Sequence, residues 1–349
     1  LERIKKGSER SLSLFPGFVD FYSNDYLGLS QGIAAPELHT GSTGSRLLSG
    51  NSEQAEETEA FLSGFFGSEA SLVFNSGYDA NLGVFSSLPQ RGDTVLYDEL
   101  IHASVRDGIR LSHARAHAFR HNDLNDLEQK ITRAEGTVFV AVESLYSMDG
   151  DLAPLAEIAG LCTRLGALLI VDEAHSGGVF GEQGRGLCHE LGITAQVFAR
   201  VVTFGKAYGT HGATVLSSAA VKAYLINFAR SFIYTTALPP YQYMVIRSQV
   251  ERAMEDGNRQ KLLGNIGHCR KILHGKLSLS DPRSPIQIML VPGITEAKRI
   301  ARALQEDRLA VKAILSPTVA EGQERLRICL HAFNEKEEVE RLKLVSGNR

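Results

Sequence analysis

The chain has 349 residues, with 37 Lys and Arg against 40 Asp and Glu for a formal net charge of −3, and 43% hydrophobic against 22% charged residues. That length has room for two or three domains around a sizeable core, and the composition argues against disordered, collagen-like and coiled-coil chains. Near-neutral charge without a block of one sign lacks the electrostatic footprint of nucleic-acid and anionic-membrane binders, so small molecules are the expected partners.

Cys162, Cys188, Cys269 and Cys329 lie far apart with no C-x-x-C pair. This speaks against a disulfide framework or a structural zinc site and for a reducing cytoplasm, with no metal expected. No apolar run approaches the roughly 18 residues of a membrane span, and residues 1–6 lack an apolar signal core, so neither a span nor export is expected.

An N-terminal arm is expected over 1–40. Beyond it, short apolar runs at 71–74, 94–97, 137–142, 167–171 and 201–204 alternate with helical patterns. That alternation is the mark of a mostly parallel sheet covered by helices, here an α/β domain over 41–240. Between two of these strands, Leu152, Leu155, Ile158, Ala159, Cys162 and Leu165 recur at helical spacing and stop at Gly166, a C-cap. Pro239-Pro240 closes the domain. A long helical stretch, 241–273, then leads into a smaller α+β domain, 241–349, with strands at 286–291 and 326–330 and a helix at 295–304.

The run Ala167-Leu168-Leu169-Ile170-Val171 is continuously apolar, as a strand buried on both faces should be, and ends abruptly in Asp172. In open α/β sheets ligands bind beyond the carboxyl ends of strands, so Glu143, Asp172, His175 and the 203–206 turn are expected to converge. Alone, Lys206 is most simply a solvated surface group. At the end of a buried strand, beside Gly205, it can instead be desolvated and act as a nucleophile toward carbonyls. Asp172 alone reads as a helix N-cap. Asp-Glu-Ala-His is also a magnesium-binding string of one ATPase class, but the chain has no G-x-x-x-x-G-K-[ST] to go with it. A strand-end lysine and a strand-end carboxylate together suit pyridoxal 5′-phosphate: the lysine holds the aldehyde as a Schiff base and the carboxylate keeps the ring nitrogen protonated. Asn75-Ser76-Gly77-Tyr78, between a strand and a helix, offers backbone N–H groups to the phosphate, although any βα turn could contain such a string.

Several strings carry a resemblance. Phe21-Tyr22-Ser23-Asn24-Asp25-Tyr26-Leu27-Gly28-Leu29, Gly44-Ser45-Arg46-Leu47-Leu48-Ser49-Gly50-Asn51, Ser147-Met148-Asp149-Gly150-Asp151 and Thr235-Thr236-Ala237-Leu238-Pro239-Pro240 stand in order with the Asp-Glu-Ala-His and Gly-Lys-Ala turns. Together they resemble the α-oxoamine synthase family over nearly the whole chain. The resemblance implies the type I fold of pyridoxal-phosphate-dependent transferases, which is aspartate aminotransferase-like, with a large mostly parallel sheet domain and a smaller C-terminal α+β domain. It also implies a homodimer, and condensation of an amino acid with an acyl thioester with release of carbon dioxide.

By the same resemblance Lys206 holds the cofactor, Asp172 pairs with the ring nitrogen, His175 meets the phenolic oxygen and His102 stacks on the ring. Ser76, Gly77, Tyr78 and Thr203 take the phosphate, with Thr236 reaching across from the partner subunit. Asn24, Glu143, Ser147 and Arg327 are assigned to substrate, Asn24 and Arg327 to the amino acid carboxylate. Strand alternation leaves Arg325 on the same face as Arg327, so parity does not choose between them, and family position favours Arg327.

The run from Glu143 to Asp151 followed by Leu152-Ala153-Pro154-Leu155 is most similar to the branch that joins L-alanine to a pimeloyl thioester in biotin synthesis. Branches of the glycine acetyltransferase or serine palmitoyltransferase type are the alternatives. A catalytically silent relative would be a reading of another class, against which intact Lys206, Asp172, His102 and His175 argue. Departures from the family pattern are Ser176-Gly177-Gly178, where a Thr commonly stands before the second glycine, Tyr208-Gly209-Thr210-His211-Gly212, and a segment between Ser30 and Gly41 about ten residues short of the usual length.

Overall fold

The computed structural model describes residues 17–29, 41–278 and 280–343. Residues 1–16 and 30–40 of the expected arm, and with them most of the shortened segment, lie outside the described residues. The chain divides into two compact units. The larger draws on Leu29–Tyr146 and Leu152–Glu255, the smaller on Leu1–Gly28, Ser147–Asp151 and Asp256–Arg349.

The larger unit is built on seven strands: β1 (Ala70–Phe74), β2 (Thr94–Asp98), β3 (Arg115–Phe119), β4 (Val138–Glu143), β5 (Leu168–Asp172), β6 (Ala199–Thr203) and β7 (Ala213–Ser217). Their order across the sheet is β1-β7-β6-β5-β4-β2-β3. Neighbours from β6 to β3 run parallel, whereas β7 is antiparallel to both β1 and β6. Every residue of β1, β4, β6 and β7 is buried, as expected where helices cover both faces. The core gathers Leu72, Phe74, Val84, Phe85, Phe139, Ile170, Val201, Val215 and Leu225.

Helices α1 (Glu53–Phe66), α2 (Gly77–Ser87), α3 (Ala103–Leu111), α4 (Leu124–Arg133), α5 (Leu155–Leu165) and α6 (Ala219–Phe228) follow in chain order. The start of α2 is fixed by Ser76, whose side chain accepts from the Asp79 N–H. The end of α5 falls at Gly166, in the left-handed region at φ 70°, as the spacing predicts.

The expected helical stretch 241–273 is two helices, α7 (Pro240–Ala253) in the larger unit and α8 (Asp256–Ile272) in the smaller. Pro239-Pro240, read as a domain boundary, instead opens α7, with Pro240 in its first turn where no N–H is needed. Residues 147–151, which the sequence places in the midst of the larger domain, belong to the smaller unit.

The smaller unit carries an antiparallel sheet of β8 (Ile286–Leu290), β9 (Lys312–Ile314) and β10 (Arg325–Cys329) in the order β9-β10-β8. Helix α9 (Ile294–Glu306) covers part of it, and Val19–Asp20 pairs in parallel with Leu309–Ala310.

Candidate active site

Three strands of the larger unit end in chemistry. In register, Glu143 at the end of β4 stands beside Asp172 at the end of β5, and Asp172 beside Val201 of β6. The Asp172 carboxylate is buried and accepts at both oxygens, from Asn81 Nδ2 at 2.7 Å and from the Ala174 N–H at 2.9 Å. The turn after β6 brings Lys206 Nζ to 2.9 Å from His175 Nε2, with His175 itself only 4% exposed. Lys206 and His175, 31 positions apart, therefore meet as expected.

His102 opens α3, and its Nδ1 accepts from the Ser104 N–H at 3.2 Å and lies 2.8 Å from Ser104 Oγ. Partial desolvation, reinforced by the Lys206 ammonium, holds its imidazole below the ordinary value, against the opposite pull of Asp172 and Asp107. The side chain still keeps an exposed part. The mutual influence of His102, Asp172 and Lys206 places all three in one neighbourhood.

The first turn of α2 meets the end of β6. A Cβ added to Gly77 would stand 3.4 Å from Thr203 Cβ and 3.5 Å from Thr203 Oγ1, in van der Waals contact across the cradle. The N–H groups of Gly77 and Tyr78, at the head of the helix, have no preceding turn to bond and carry the positive end of its dipole. Ser76 Oγ lies 2.7 Å from Asp79 Oδ2, and exposed Tyr78 donates to Asp107 at 2.5 Å. Thr236 is exposed, and its carbonyl accepts from Asn75 Nδ2 at 2.9 Å. A phosphate dianion fits this donor-lined cradle, and an aldehyde-bearing ring with a basic nitrogen fits the amine and carboxylate beside it.

The smaller unit assembles a second group. Arg327 is buried, donating from Nη2 to Asn24 Oδ1 at 3.0 Å and from Nε to the Ser147 carbonyl at 2.7 Å. Ser147 thus contributes its carbonyl. Arg325 shares the face of β10 but is ion-paired with Asp149 and donates to the Met148 carbonyl at 3.3 Å. Among the described residues Arg327 has no carboxylate partner, so of the two it is the cation still open to an anion.

The model of the aminotransferase class I and II family matches residues 16–343. The chain belongs to that family. Among relatives of this aminotransferase-family chain, an 8-amino-7-oxononanoate synthase of Emericella nidulans is 42% identical over 97% of this chain and 91% of its own length. One of Chromobacterium violaceum is 40% identical over 93% and 87%. Of solved structures, the serine palmitoyltransferase of Sphingomonas wittichii superposes with TM-score 0.90 at 32% identity, covering 94% of this chain and 86% of that one. The 8-amino-7-oxononanoate synthase of Francisella tularensis does so with TM-score 0.81 at 31% identity, covering 94% and 96%. The α-oxoamine synthase resemblance and the type I fold are both borne out.

Sequence reasoning missed two supports of the site in this family member. Glu173, next to Asp172, is fully buried and pairs with buried Arg200 at 3.3 Å. It also accepts from the Cys188 N–H at 2.9 Å and from Ser176 Oγ at 3.1 Å. Within Asp-Glu-Ala-His the first acid is thus left for a ligand while the second ties down the loop that carries His175. Arg46 of the Gly-Ser-Arg string pairs with Glu59 at 2.7 Å, whose other oxygen holds Lys222 at 2.7 Å. No local pattern signals either pairing, because the partners are far apart in the chain.

Proposed function

We propose that this chain condenses L-alanine with a pimeloyl thioester, carried on CoA or an acyl carrier protein, to give 8-amino-7-oxononanoate, carbon dioxide and a free thiol. The product is the one that names its relatives, which match over nearly their whole length, and the substrate pair is the one that the family resemblance implies. The observation that carries the chemistry is Lys206 Nζ within 2.9 Å of His175 Nε2, in the neighbourhood of an Asp172 held as an acceptor. Pyridoxal 5′-phosphate, when bound, supplies an aldehyde that captures the amino acid and a protonated ring that accepts the electron pair left at Cα.

The residues divide the remaining work. Lys206 Nζ is the attachment point. Asp172 holds the proton on the ring nitrogen, His175 donates to the phenolic oxygen, and His102 lies on the ring face. Ser76, Thr203 and the N–H groups of Gly77 and Tyr78 bind the phosphate, and Thr236 reaches the phosphate of the partner's site in a homodimer. Arg327 and Asn24 grip the amino acid carboxylate, with Glu143 and Ser147 assigned to substrate. A planar guanidinium offers a two-point grip, which would fix the orientation of the amino acid and so help choose which Cα bond breaks.

The cytoplasm is the proposed compartment. All four cysteines are buried free thiols, as suits reducing surroundings, and among the described residues no helix is long and apolar enough to cross a membrane.

Mass spectrometry of products over a small matrix of amino acids and acyl thioesters tests the substrates. Alanine with the pimeloyl thioester should give the strongest product, and a preference for serine with a palmitoyl thioester would move the chain to the neighbouring branch. Borohydride reduction with peptide mapping tests the attachment point. A pyridoxyl adduct is expected on Lys206, and one on Lys222, which Glu59 already occupies, would refute the assignment.

A further inference from the structure

Asn81, one turn into α2 and 2% exposed, reaches one proposed cofactor contact directly and a second through Ser104. Its Nδ2 donates at 2.7 Å to Asp172 Oδ2 and at 3.0 Å to Ser104 Oγ. An amide nitrogen has two protons, so both are used. Ser104 Oγ, accepting from Asn81, keeps a single proton, and the acceptor in front of it is His102 Nδ1 at 2.8 Å. That same Nδ1 already accepts the Ser104 N–H. It must therefore carry a lone pair, and the proton of the neutral ring sits on Nε2.

Every direction in this chain is set from one end. Turning the Asn81 amide over would press its oxygen against the Asp172 carboxylate. Held as it is, Asn81 Oδ1 is buried without a hydrogen-bond partner. A side chain kept only for packing has no reason to carry that cost, since a leucine of similar shape would be free of it.

We propose that Asn81 and Ser104 are positioning residues, a proton-ordered bridge that holds Asp172 as a standing acceptor and fixes His102 in the Nε2–H form. The inference rests on the reading in which His102 and Asp172 meet the cofactor ring. The charged groups facing His102 are Asp172 at the end of β5, Lys206 beyond β6 and Asp107 on α3 itself. Protonation of Nδ1 would break the bond from the Ser104 N–H and force the Ser104 hydroxyl to turn, which adds to partial desolvation in disfavouring imidazolium.

The first arm of the test needs no cofactor. Nitrogen NMR of the apoenzyme with labelled histidine should show His102 as the Nε2–H tautomer. In Ser104→Ala, which keeps the backbone N–H donor but loses the hydroxyl, its pKa should rise toward the ordinary value. The second arm uses Asn81→Leu, with apoenzyme melting temperature as the control for folding. The dissociation constant for pyridoxal phosphate should rise tenfold or more, and the pH midpoint of the visible absorbance of the loaded enzyme should shift. An unchanged His102 pKa in Ser104→Ala, or unchanged affinity and pH midpoint in Asn81→Leu, would overturn the bridge. Should Asp172→Asn also leave cofactor affinity and spectrum intact, the role assigned to Asp172 would fall instead, while the His102 result in the apoenzyme still judged the bridge.

Discussion

Arg325 and Arg327 leave the same face of β10 two residues apart, yet Asp149 neutralises the first and no described carboxylate neutralises the second. The two substitutions should therefore fail differently. Arg325→Ala strands a part-buried acid and should destabilise the fold by about 3–5 kcal/mol, read as a fall in melting temperature. Arg327→Ala should fold, and its kcat/KM for alanine should drop roughly 10- to 100-fold, the value of charge-assisted hydrogen bonds at about 1.5–3 kcal/mol. The KM for the acyl thioester should move much less. Normal alanine saturation in Arg327→Ala, with saturation lost in Arg325→Ala, would transfer the carboxylate anchor to Arg325.

Among the elements, the junction of α2 with β6 is the one in which local sequence and site geometry are most tightly tied. Gly77→Ala adds a methyl group in contact with Thr203 at the phosphate cradle. It should weaken pyridoxal phosphate binding by roughly tenfold, about one lost hydrogen bond, while the apoenzyme melts as before. Equilibrium dialysis and calorimetry read the two effects separately. Strand ends such as Glu143 and Asp172 are readable in sequence because a continuous apolar run breaks at a charge. β3 is not readable that way: Arg-Ala-His-Ala-Phe is exposed at all but its last residue and presents no apolar run. β7 follows a glycine-bearing turn, and its reversed direction is set by pairing with β1 and β6, which no local pattern encodes. For the same reason Lys206 and Asp172 stand out in the sequence, whereas Asn81 and Ser104, on the openings of two different helices, do not.

For the molecule as a whole, acid stability has a traceable source in the smaller unit. His331 is fully buried, stacked 4.7 Å from the Phe333 ring and hydrogen-bonded near Asn334 and Ser23. Burial lowers its pKa from 6.5, against the pull of Asp20. Below that pH the unfolded chain takes up a proton that the folded one refuses, so the stability present above it is lost as the pH falls toward the folded value. The loss can reach about 1.4 kcal/mol per pH unit across that window. Melting temperature followed against pH should decline there in the parent chain and run flatter in His331→Gln, and parallel curves would assign the acid sensitivity elsewhere.

The order β1-β7-β6-β5-β4-β2-β3 also sets how the backbone of the larger unit trades its amide protons with solvent. β3 bonds to one neighbour and lies open along four of its five residues, so deuterium should enter there within the shortest labelling times. β6 and β7 are bonded on both sides and buried throughout, so their amides should open only with the whole unit. Lys206 follows directly from β6 and Asp172 lies on its neighbour β5. Mass-resolved deuterium uptake should therefore form a gradient that runs inward from β3 and is slowest where these two residues are mounted, so that partial opening of the sheet from its exposed edge leaves the amine and the carboxylate in register.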